Sequence, residues 1–457
     1  MEEKGWREAL EEISEKNDCY SRVEAIKTSF SRVFHTDVCL VYDVRTLLGL
    51  TDVAYLEIGS YIGFSASLIG QHPYPTYMDL VDPLSLPPTH FHGSAPQKET
   101  LMSNLMKFAP HNLVHIYQAL SSDIVVKKAA SSMGYDFALI DGDHSAAGVI
   151  NDFNLVLRGL KLNGFIIFDD YNDHIYCPEV RPTVDMLAEM FEWDGGVSPT
   201  YKNEYIVRNT PKVDPKICVN TLTYRRLDGT SPSKLRTTFA YLRSQTSQDF
   251  DYFLYGDDYS NRSEFDQISR EYSGTIFARN MNESLRHIQD DEIRWAQGGK
   301  IAYFAAIKDM ISHGCDYILP LDDDDIWYPD RIKVIKDYIG KFPLAGFILS
   351  YSKYFDGYLP GGAQNVTHTY INNYTPQGAD SVRTSHVYKT SACSKILLQA
   401  TSPDNKNLRE PNDMQILNLL RQHNIPTLLL KEVTVEKKSE HNIPVYEEGG
   451  RDTAFEI

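Results

Sequence analysis

Short apolar runs alternate along this chain with longer stretches in which apolar residues recur every three or four positions. The first pattern is typical of buried strands, and the second is typical of amphipathic helices that cover them. Strands that alternate with helices form parallel sheets covered by helices. The pattern therefore predicts an α/β fold, and it occurs on both sides of a polar segment at residues 208–216.

That polar segment contains two prolines and is followed by a new strand-like run from Ile217. Proline-containing polar segments are common at domain boundaries. A chain of 457 residues is also too long for one ordinary core. We predict a first domain at 1–209 that starts with helices, a linker at 210–215 and a second domain at 216–457.

Charge and composition restrict the partners. The formal net charge of −17 disfavours a nucleic-acid backbone or an anionic membrane surface. No apolar run approaches the roughly 18 residues of a membrane span, and the start lacks the apolar core of a signal peptide. The six cysteines include no Cys-x-x-Cys pair, which favours reduced thiols and argues against zinc. These observations predict a cytoplasmic protein without an integral membrane segment or a nucleic-acid partner.

A glycine-containing turn follows the first strand-like run of the chain. That run ends in Glu57, and Gly59 and Gly63 flank the turn into a helix. Glycine lets the backbone approach a ligand closely. The next strand ends in Asp82, placed to accept hydrogen bonds from a ribose as in nucleotide-binding βαβ units. Glycine-containing turns also occur where the glycines only allow close packing. This pattern alone therefore leaves open whether the turn binds a ligand or only packs.

Two later strands of the first half end in acidic side chains. One ends in Asp141, which His144 follows closely, and the other ends in Asp169 and Asp170. Adjacent parallel strands would bring these ends to the same edge of a sheet, where ligands bind. Three carboxylates there are able to hold one Mg²⁺-like ion.

These motifs resemble class I S-adenosylmethionine-dependent methyltransferases, in particular the metal-dependent O-methyltransferases of macrolide and aminocoumarin sugars. The resemblance rests on Leu-Glu-Ile-Gly-Ser-Tyr-Ile-Gly from residue 56, Leu-Ile-Asp-Gly-Asp-His from 139 and Ile-Ile-Phe-Asp-Asp-Tyr from 166, and it covers about residues 50–208. It implies a Rossmann-like sheet that binds S-adenosylmethionine and Mg²⁺ or Mn²⁺. The implied cofactor residues are Glu57, Gly59, Ser60, Gly63 and Asp82, and the implied metal ligands are Asp141, Asp169 and Asp170.

A divalent ion that chelates two sugar hydroxyls lowers the pKa of one of them. A base near the metal is then needed to take the proton of that hydroxyl. His144 is the favoured base, and Asp141 or Asp143 is the alternative. A histidine that only orients or caps a neighbouring group is an equally simple explanation of His144.

The second half contains four consecutive aspartates at 322–325, after an apolar run. A buried strand that delivers several carboxylates to its end is stable only if a hard cation or hydroxyl and amide donors neutralise them. We therefore predict a metal that carries phosphates at this position. The alternative is an acidic turn solvated by water.

The order of motifs in the second half resembles family-2 glycosyltransferases of the GT-A fold, over most of 216–420. The resemblance implies a nucleotide-sugar site, a metal ligand at Asp324 and a catalytic base of an inverting transfer at Asp413. The register leaves open whether Asp322 or Asp323 meets the ribose, and Asp413 is alternatively an ordinary acid at a helix start. The implied nucleotide-sugar residues are Thr223, Tyr224, Arg225, Asp258, Lys300, Asp322 and Asp323.

The sequence thus predicts a bifunctional enzyme that methylates a sugar hydroxyl and transfers a sugar from a nucleotide-diphosphate donor to a glycan or glycoside acceptor, with Mg²⁺ or Mn²⁺ in both domains. Alternatively, the first half methylates a non-sugar diol or serves only as a binding module. The segment 354–374 suits an acceptor loop or a plain surface loop, and His441 is either a metal or phosphate contact or a surface residue.

Overall fold

A computed structural model of the chain divides into two compact units, Met1–Pro211 and Lys212–Ile457, which we call unit 1 and unit 2. Most of the predicted acceptor loop at 354–374 and the predicted contact at His441 lie outside the described residues. The described residues are 5–27, 39–84, 98–226, 229–259, 262–281, 289–290, 293, 298–354, 357–359, 369–370, 383–405, 407 and 410–437.

Unit 1 begins with helices and continues as an alternation of strands and helices. Its helices are α1 (Trp6–Lys16), α2 (Cys19–Lys27), α3 (Cys39–Leu48), α4 (Phe64–Ile69), α5 (Lys98–Phe108), α6 (Ile124–Ser132), α7 (Ala146–Val156) and α8 (Val180–Phe191). Its strands are β1 (Val53–Ile58), β2 (Thr76–Val81), β3 (Leu113–Tyr117), β4 (Tyr135–Ile140), β5 (Leu160–Phe168), β6 (Asp194–Val197) and β7 (Tyr205–Arg208).

The strands of unit 1 form one sheet in the order β3-β2-β1-β4-β5-β7-β6. β1 pairs in parallel with β2 on one side and with β4 on the other, and β4 pairs in parallel with β5. β7 pairs antiparallel with β5 and β6. The strand order therefore reverses at β1, and ligands of such sheets bind outside the carboxyl ends of the strands at this reversal.

The core of unit 1 includes its first helices. All residues of β1 and β4 are buried, as expected for central strands covered on both faces. Leu10 of α1 and Leu40 of α3 belong to the same buried cluster as Tyr55 and Phe137 of the sheet. Because burial of a large apolar side chain stabilises the fold by about 1.5–3 kcal/mol, these helices are part of the domain that holds the sheet.

Unit 2 has a second sheet with its own helices. Its strands are β8 (Ile217–Tyr224), β9 (Asp251–Asp257), β10 (Ile276–Asn280), β11 (Tyr317–Pro320), β12 (Asp325–Trp327), β13 (Phe347–Tyr354), β14 (Gly357–Leu359), β15 (Thr369–Tyr370), β16 (His386–Lys389) and β17 (Thr427–Lys437). Its helices are α9 (Ser231–Arg243), α10 (Arg262–Ser269), α11 (Lys300–Ser312), α12 (Arg331–Lys341), α13 (Thr390–Thr401) and α14 (Asn412–Gln422), with a 3-10 turn at Arg383–Ser385.

The main path of this sheet is β10-β9-β8-β11-β16-β13-β17-β12. The first four strands are parallel, and β8 lies between β9 and β11, so the chain reverses its direction across the sheet at β8. β16 pairs antiparallel with β11 and with β13. Two sheets covered by helices confirm the predicted α/β class, and unit 2 starts with a parallel half-sheet.

The expectation of reduced thiols is wrong for at least three cysteines. Cys218 and Cys315 form a disulfide across 97 residues of sequence, and Cys39 is also disulfide-bonded. The sequence argument tested only short spacings, whereas parallel pairing of β8 with β11 brings distant cysteines together. The reduced-thiol basis for the predicted cytoplasmic location is therefore lost.

The described helices are short. α9 and α11 have 13 residues each, whereas a membrane span needs about 20. In the part of the chain that the structure describes, no helix is long and apolar enough to cross a membrane.

Candidate functional site

The turn after β1 requires glycine at residue 59. Gly59 has a φ of +93°, and a Cβ added there would lie 1.6 Å from the carbonyl oxygen of Asp141. The Gly59 amide donates to the carbonyl of Val81 at 2.9 Å, and the Asp141 amide donates to the carbonyl of Ile58 at 2.9 Å. The ends of β1, β2 and β4 therefore meet at this turn, backbone against backbone.

Glu57, the predicted cofactor-binding acid of β1, is 1% exposed. Its oxygens accept hydrogen bonds from the Tyr55 hydroxyl at 2.8 Å and the Ser65 hydroxyl at 2.6 Å. Burial raises the pKa of Glu57 to about 7, although these hydrogen bonds lower it. The fold thus fixes the side chain in position and makes its ionisation unfavourable.

We expect Glu57→Gln to raise the free energy of unfolding at about pH 8 by about 1–3 kcal/mol. The folded pKa of about 7 lies above the ordinary glutamate pKa of 4.5, so wild-type stability falls as pH rises between these values. Glutamine carries no charge and escapes this loss. Calorimetric unfolding at about pH 5 and about pH 8 checks the prediction, with the exposed Glu11→Gln as the control. A gain of equal size at both pH values would contradict it.

Asp82 lies directly after β2 and holds the turn after β1. Its Oδ2 accepts from the Tyr61 amide and its Oδ1 accepts from the Leu84 amide, both at 2.7 Å. Ser60, in the same turn, is 3% exposed, and Gly63 starts α4 with a φ of +80°. The predicted cofactor residues therefore surround one turn at the reversal of strand order.

The ends of β4 and β5 bring an imidazole and carboxylates together. His144 Nε2 lies 3.3 Å from Asp141 Oδ1 and 3.5 Å from Asp170 Oδ2. The Asp169 amide donates to the carbonyl of Ile140 at 3.1 Å, which continues the parallel pairing of the two strands. The sequence correctly predicted that these strands are neighbours.

Asp169 and Asp170 differ in their contacts. Asp169 accepts from the Asp170 amide at 2.7 Å. Asp170 has a φ of +56°. Its Oδ1 accepts from Asn203 Nδ2 at 3.0 Å, and its Oδ2 accepts from the Cys177 thiol at 3.2 Å. Of these two carboxylates, Asp170 is the one that lies within 3.5 Å of His144 Nε2.

The group at the ends of β4 and β5 has three carboxyl groups, those of Asp141, Asp169 and Asp170, and one imidazole, that of His144. Burial raises the pKa of Asp141 to about 6, against the lowering effect of His144. Burial, with the charges of Asp141 and Asp170, raises the pKa of Asp169 well above its usual value. Burial alone lowers the pKa of His144, but the hydrogen bond and charge of Asp141 outweigh burial and raise it to about 9. These carboxylates favour a positive charge beside them.

Sequence reasoning missed Cys177. Among the described residues, His144, Asp170 and Cys177 form a group whose potential metal-ligand atoms all lie within 4.8 Å of one another. Asp143, an alternative base, instead accepts from the Ser145 amide at 3.0 Å. A lone cysteine in a loop after a strand has no spacing signal that marks it as a partner of the strand ends.

Arginines hold the first two aspartates of the 322–325 run in unit 2. Asp323 is buried. Its carboxylate accepts hydrogen bonds from Arg226 Nη1 at 2.7 Å, from Arg226 Nη2 at 2.6 Å and from Thr223 Oγ1 at 2.7 Å. Asp322 accepts from Arg383 Nε at 3.0 Å. The side chain of Asp322 is 20% exposed and that of Asp323 is 5% exposed. Asp322 is therefore the more accessible of the two acids that the sequence proposed for the ribose.

Asp324 keeps room for a further ligand. Its side chain is 28% exposed, and its carboxylate lies 4.0 Å from Arg226, 4.0 Å from Lys234 and 3.8 Å from Lys437. Burial raises the pKa of Asp324, but these cations outweigh burial and lower it. Asp325 is fully buried and lies 3.1 Å from Lys437. Asp324 is thus an ionised carboxylate next to several positive charges.

β8 ends in the predicted nucleotide-contacting turn. Arg225 Nε donates to Glu264 at 2.9 Å, and the Tyr224 ring centroid lies 4.3 Å from the guanidinium carbon of Arg226. Thr223 and Arg226 both donate hydrogen bonds to Asp323 of the acidic run. Arg226 was not predicted, because the resemblance pointed only to residues 223–225.

Asp258 and Lys300, two further predicted contacts, lie at other turns of unit 2. Asp258 has a φ of +54°, and its amide donates to Asp257 Oδ1 at 3.0 Å. Lys300 begins α11 after Gly299, and it is 3% exposed. Within the described residues its Nζ has no hydrogen-bond partner, and burial lowers its pKa. A buried ammonium without a partner is costly, so an anionic ligand would stabilise it.

Arg383 connects the acidic run with Asp413. It is bonded to Asp322, and its guanidinium carbon lies 5.4 Å from the centre of the Tyr303 ring. Asp413, in the first turn of α14, accepts from the Met414 amide at 3.0 Å. Burial raises the pKa of Asp413, whereas the charge of Arg383 lowers it. The charge of Arg383 therefore acts on both Asp322 and Asp413, the two acids to which the sequence gave separate roles.

Comparisons with known proteins give a family match within unit 1. Residues 56–171 match the Methyltransferase domain family. The range includes the strand ends that carry Glu57, Asp82, Asp141 and Asp170.

Two relatives come from Acanthamoeba polyphaga mimivirus. The uncharacterized protein R132 is 34% identical over 192 residues, which are 41% of this chain and 82% of R132. The uncharacterized glycosyltransferase R139 is 22% identical over 240 residues, which are 50% of this chain and 96% of R139. These similarities support a two-part transferase with a methyltransferase domain and a weaker similarity to a glycosyltransferase.

A solved structure with some similarity is S. aureus TarS 1-349 in complex with UDP. It is 13% identical, with a TM-score of 0.34, and the match covers 48% of this chain and 60% of the TarS chain. At this TM-score the similarity adds nothing to the fold that the strand order defines.

Proposed function

Since the chain belongs to one family with R132 and carries a methyltransferase domain at 56–171, we propose that unit 1 transfers a methyl group from S-adenosylmethionine to a sugar hydroxyl. The observation that carries this proposal is the convergence of acidic strand ends at the reversal of strand order, through Glu57, Asp82 and Asp141. A nucleoside-containing cofactor binds at such a position in doubly wound sheets.

Asp82 is proposed as the ribose acceptor, and we expect Asp82→Ala to weaken S-adenosylmethionine binding by about 10- to 100-fold. A hydrogen bond to a charged group contributes about 1.5–3 kcal/mol, and the variant also frees the Tyr61 and Leu84 amides. Titration calorimetry of the full chain measures the change, with the exposed Asp52→Ala as the control.

Equal affinity in Asp82→Ala would refute the ribose contact. Failure of the wild type to bind S-adenosylmethionine would remove the methyltransferase proposal for unit 1.

The residues at the ends of β4 and β5 fit a divalent ion such as Mg²⁺ or Mn²⁺. Their oxygen donors suit such ions, and buried carboxylates with raised pKa values need positive charge. Asp141, Asp169 and Asp170 would hold the ion. When bound, the ion lowers the pKa of a chelated hydroxyl.

The base in unit 1 is proposed to be His144, with Asp141 as the alternative at 3.3 Å from it. The charge of a bound divalent ion would lower the raised pKa of His144 and favour the neutral imidazole that accepts a proton. The base takes the proton of the sugar hydroxyl. The hydroxyl oxygen then forms a bond to the methyl carbon as the bond from that carbon to the sulfonium breaks. S-adenosylhomocysteine and the methyl ether are the products.

Unit 2 is proposed to transfer a sugar from a nucleotide-diphosphate donor with inversion at the anomeric carbon. Among the residues that the structure describes, the buried ammonium of Lys300 has no hydrogen-bond partner, and this supports the proposal because a diphosphate would supply negative charge there. Asp324 fits a divalent ion, since Mg²⁺ is commonly held by one or two carboxylates together with phosphate oxygens. That ion would neutralise charge on the departing diphosphate.

Asp413 is proposed to take the proton of the acceptor hydroxyl. The acceptor oxygen then bonds to the anomeric carbon from the side opposite the diphosphate, and the bond from that carbon to the diphosphate oxygen breaks. Arg383 is hydrogen-bonded to Asp322. Burial raises the pKa of Asp413, but the positive charge of Arg383 lowers it, which favours the ionised form that accepts a proton.

Donor hydrolysis by the full chain tests the proposal for unit 2. UDP-, GDP- and dTDP-sugars are incubated with Mn²⁺ or with excess chelator, and release of the nucleoside diphosphate is measured. We expect release from one nucleotide class and loss of release in chelator. Release without any metal would show that protein cations such as Arg226, Lys234 and Lys437 neutralise the diphosphate without a metal ion. No release from any donor would count against a sugar transferase.

A further inference from the structure

The loop after β5 places a thiol against the candidate metal group of unit 1. Cys177 is 5% exposed, and its Sγ lies 3.2 Å from Asp170 Oδ2. His144 Nε2 lies 3.5 Å from that same carboxylate oxygen. The imidazole nitrogen, the carboxylate oxygen and the sulfur all lie within 4.8 Å of one another. Sulfur, nitrogen and oxygen donors thus face one small volume.

These spacings suit ligands of one ion. Metal bonds to imidazole nitrogen and carboxylate oxygen are about 2.0–2.2 Å long, and bonds to thiolate sulfur are about 2.3 Å long. Two such ligands at a tetrahedral angle lie about 3.3–3.7 Å apart. The distance between His144 and Asp170 falls in this range, and the distance between Cys177 and Asp170 is slightly below it.

We propose that Cys177 is a metal ligand together with His144 and Asp170, and that unit 1 therefore takes a thiolate-binding divalent ion such as Zn²⁺, Co²⁺ or Fe²⁺ in preference to Mg²⁺. Soft thiolate ligands select such ions, whereas Mg²⁺ prefers oxygen donors. This inference rests on the metal-dependent methyl transfer proposed above and changes its ligand set.

Ligation changes the roles of the neighbouring groups. The thiol gives up its proton to solvent as the bond from sulfur to metal forms, and the carboxylate oxygen that accepted from the thiol is then free to bind the ion. His144 bound through Nε2 no longer accepts a proton at that atom. The base role then passes to Asp141, the alternative that lies 3.3 Å from the imidazole.

Cobalt binding by the full chain tests the inference without any assay of activity. The protein is stripped with chelator, dialysed and titrated with Co²⁺ alone, and the near-ultraviolet charge-transfer band from thiolate to cobalt is recorded. We expect the band in the wild type and its loss in Cys177→Ser. The matched control is Cys393→Ser, which removes the other buried free cysteine and should keep the band.

A competition with Mg²⁺ measures the preference. We expect Mg²⁺ at about 100-fold excess over Co²⁺ to leave the band unchanged. Displacement of the cobalt at that excess would overturn the proposed selectivity.

The outcomes separate this inference from the proposed function. Co²⁺ binding without the band, or a band that persists in Cys177→Ser, would overturn ligation by Cys177, while S-adenosylmethionine binding would still support the methyltransferase. If Cys177→Ser fails to fold, X-ray absorption on cobalt-loaded wild type decides. A sulfur neighbour at about 2.3 Å supports ligation, and a shell of oxygen and nitrogen alone refutes it.

Discussion

Asp170→Asn should lower the turnover of methyl transfer by about 1,000-fold while S-adenosylmethionine still binds. Asp170 is a ligand in both metal sets considered above, and a metal ion supplies several kcal/mol of charge stabilisation. Asparagine tolerates the left-handed φ of +56° at this position better than most residues. The substitution therefore removes the charge and keeps the backbone. Turnover at saturating cofactor and titration calorimetry measure the two effects.

The matched control for Asp170→Asn is Asp173→Asn, which removes a carboxylate from the same loop. Asp173 Oδ1 accepts from the Ile175 and Tyr176 amides, and the asparagine oxygen is able to do the same. We expect turnover near that of the wild type. Normal turnover in Asp170→Asn, or full methylation by the wild type in excess chelator, would show that no metal acts through this residue.

Asp413→Asn should lower sugar transfer by about 100- to 10,000-fold and leave donor binding intact. An amide cannot accept the proton of the acceptor hydroxyl, and general base catalysis contributes rate factors of this size. Donor affinity is measured by calorimetry with an unreactive donor analogue, and transfer is measured with the natural donor class once it is found. The product should carry the opposite anomeric configuration to the donor, as read by NMR.

The control for Asp413→Asn is Asp404→Asn, an exposed acid in the loop after α13. It should transfer sugar at the wild-type rate. Retention of configuration in the product would exclude the single displacement proposed for unit 2. Near-normal transfer in Asp413→Asn would move the base to another residue.

Strand ends were predictable because they depend on local sequence. An apolar run that stops at Asp141 or at Asp322 predicts both that a strand is present and where it ends. Parallel pairing then follows from the alternation with helices, and it brings the ends of β4 and β5 together. The α/β fold class was predictable for the same reason.

The partners of those strand ends were not predictable. Arg383 reaches Asp322 across 61 residues, and Arg226 reaches Asp323 across 97. Such pairs depend on tertiary packing and have no periodic signature in the sequence. The sequence therefore indicated that the acidic run needs positive charge, but it could not identify the arginines and lysines that provide part of it.

Disulfide pairing and the contact between Cys177 and Asp170 were hidden for a related reason. Cysteine spacing is informative when two cysteines are close in sequence. Cys218 and Cys315 are joined only after β8 and β11 lie side by side, and Cys177 meets Asp170 through the fold of a loop. In each case the contact is a property of the fold and not of a motif.

The contact between Gly59 and Asp141 limits how this site is able to evolve. Every other amino acid has a Cβ, and at residue 59 that atom would collide with a neighbouring carbonyl. Libraries that diversify the turn after β1 should therefore leave residue 59 unchanged. At Gly5, by contrast, an added Cβ would meet no atom within 4 Å. A fitness map of unit 1 would therefore show near-complete intolerance at one glycine and neutrality at the other.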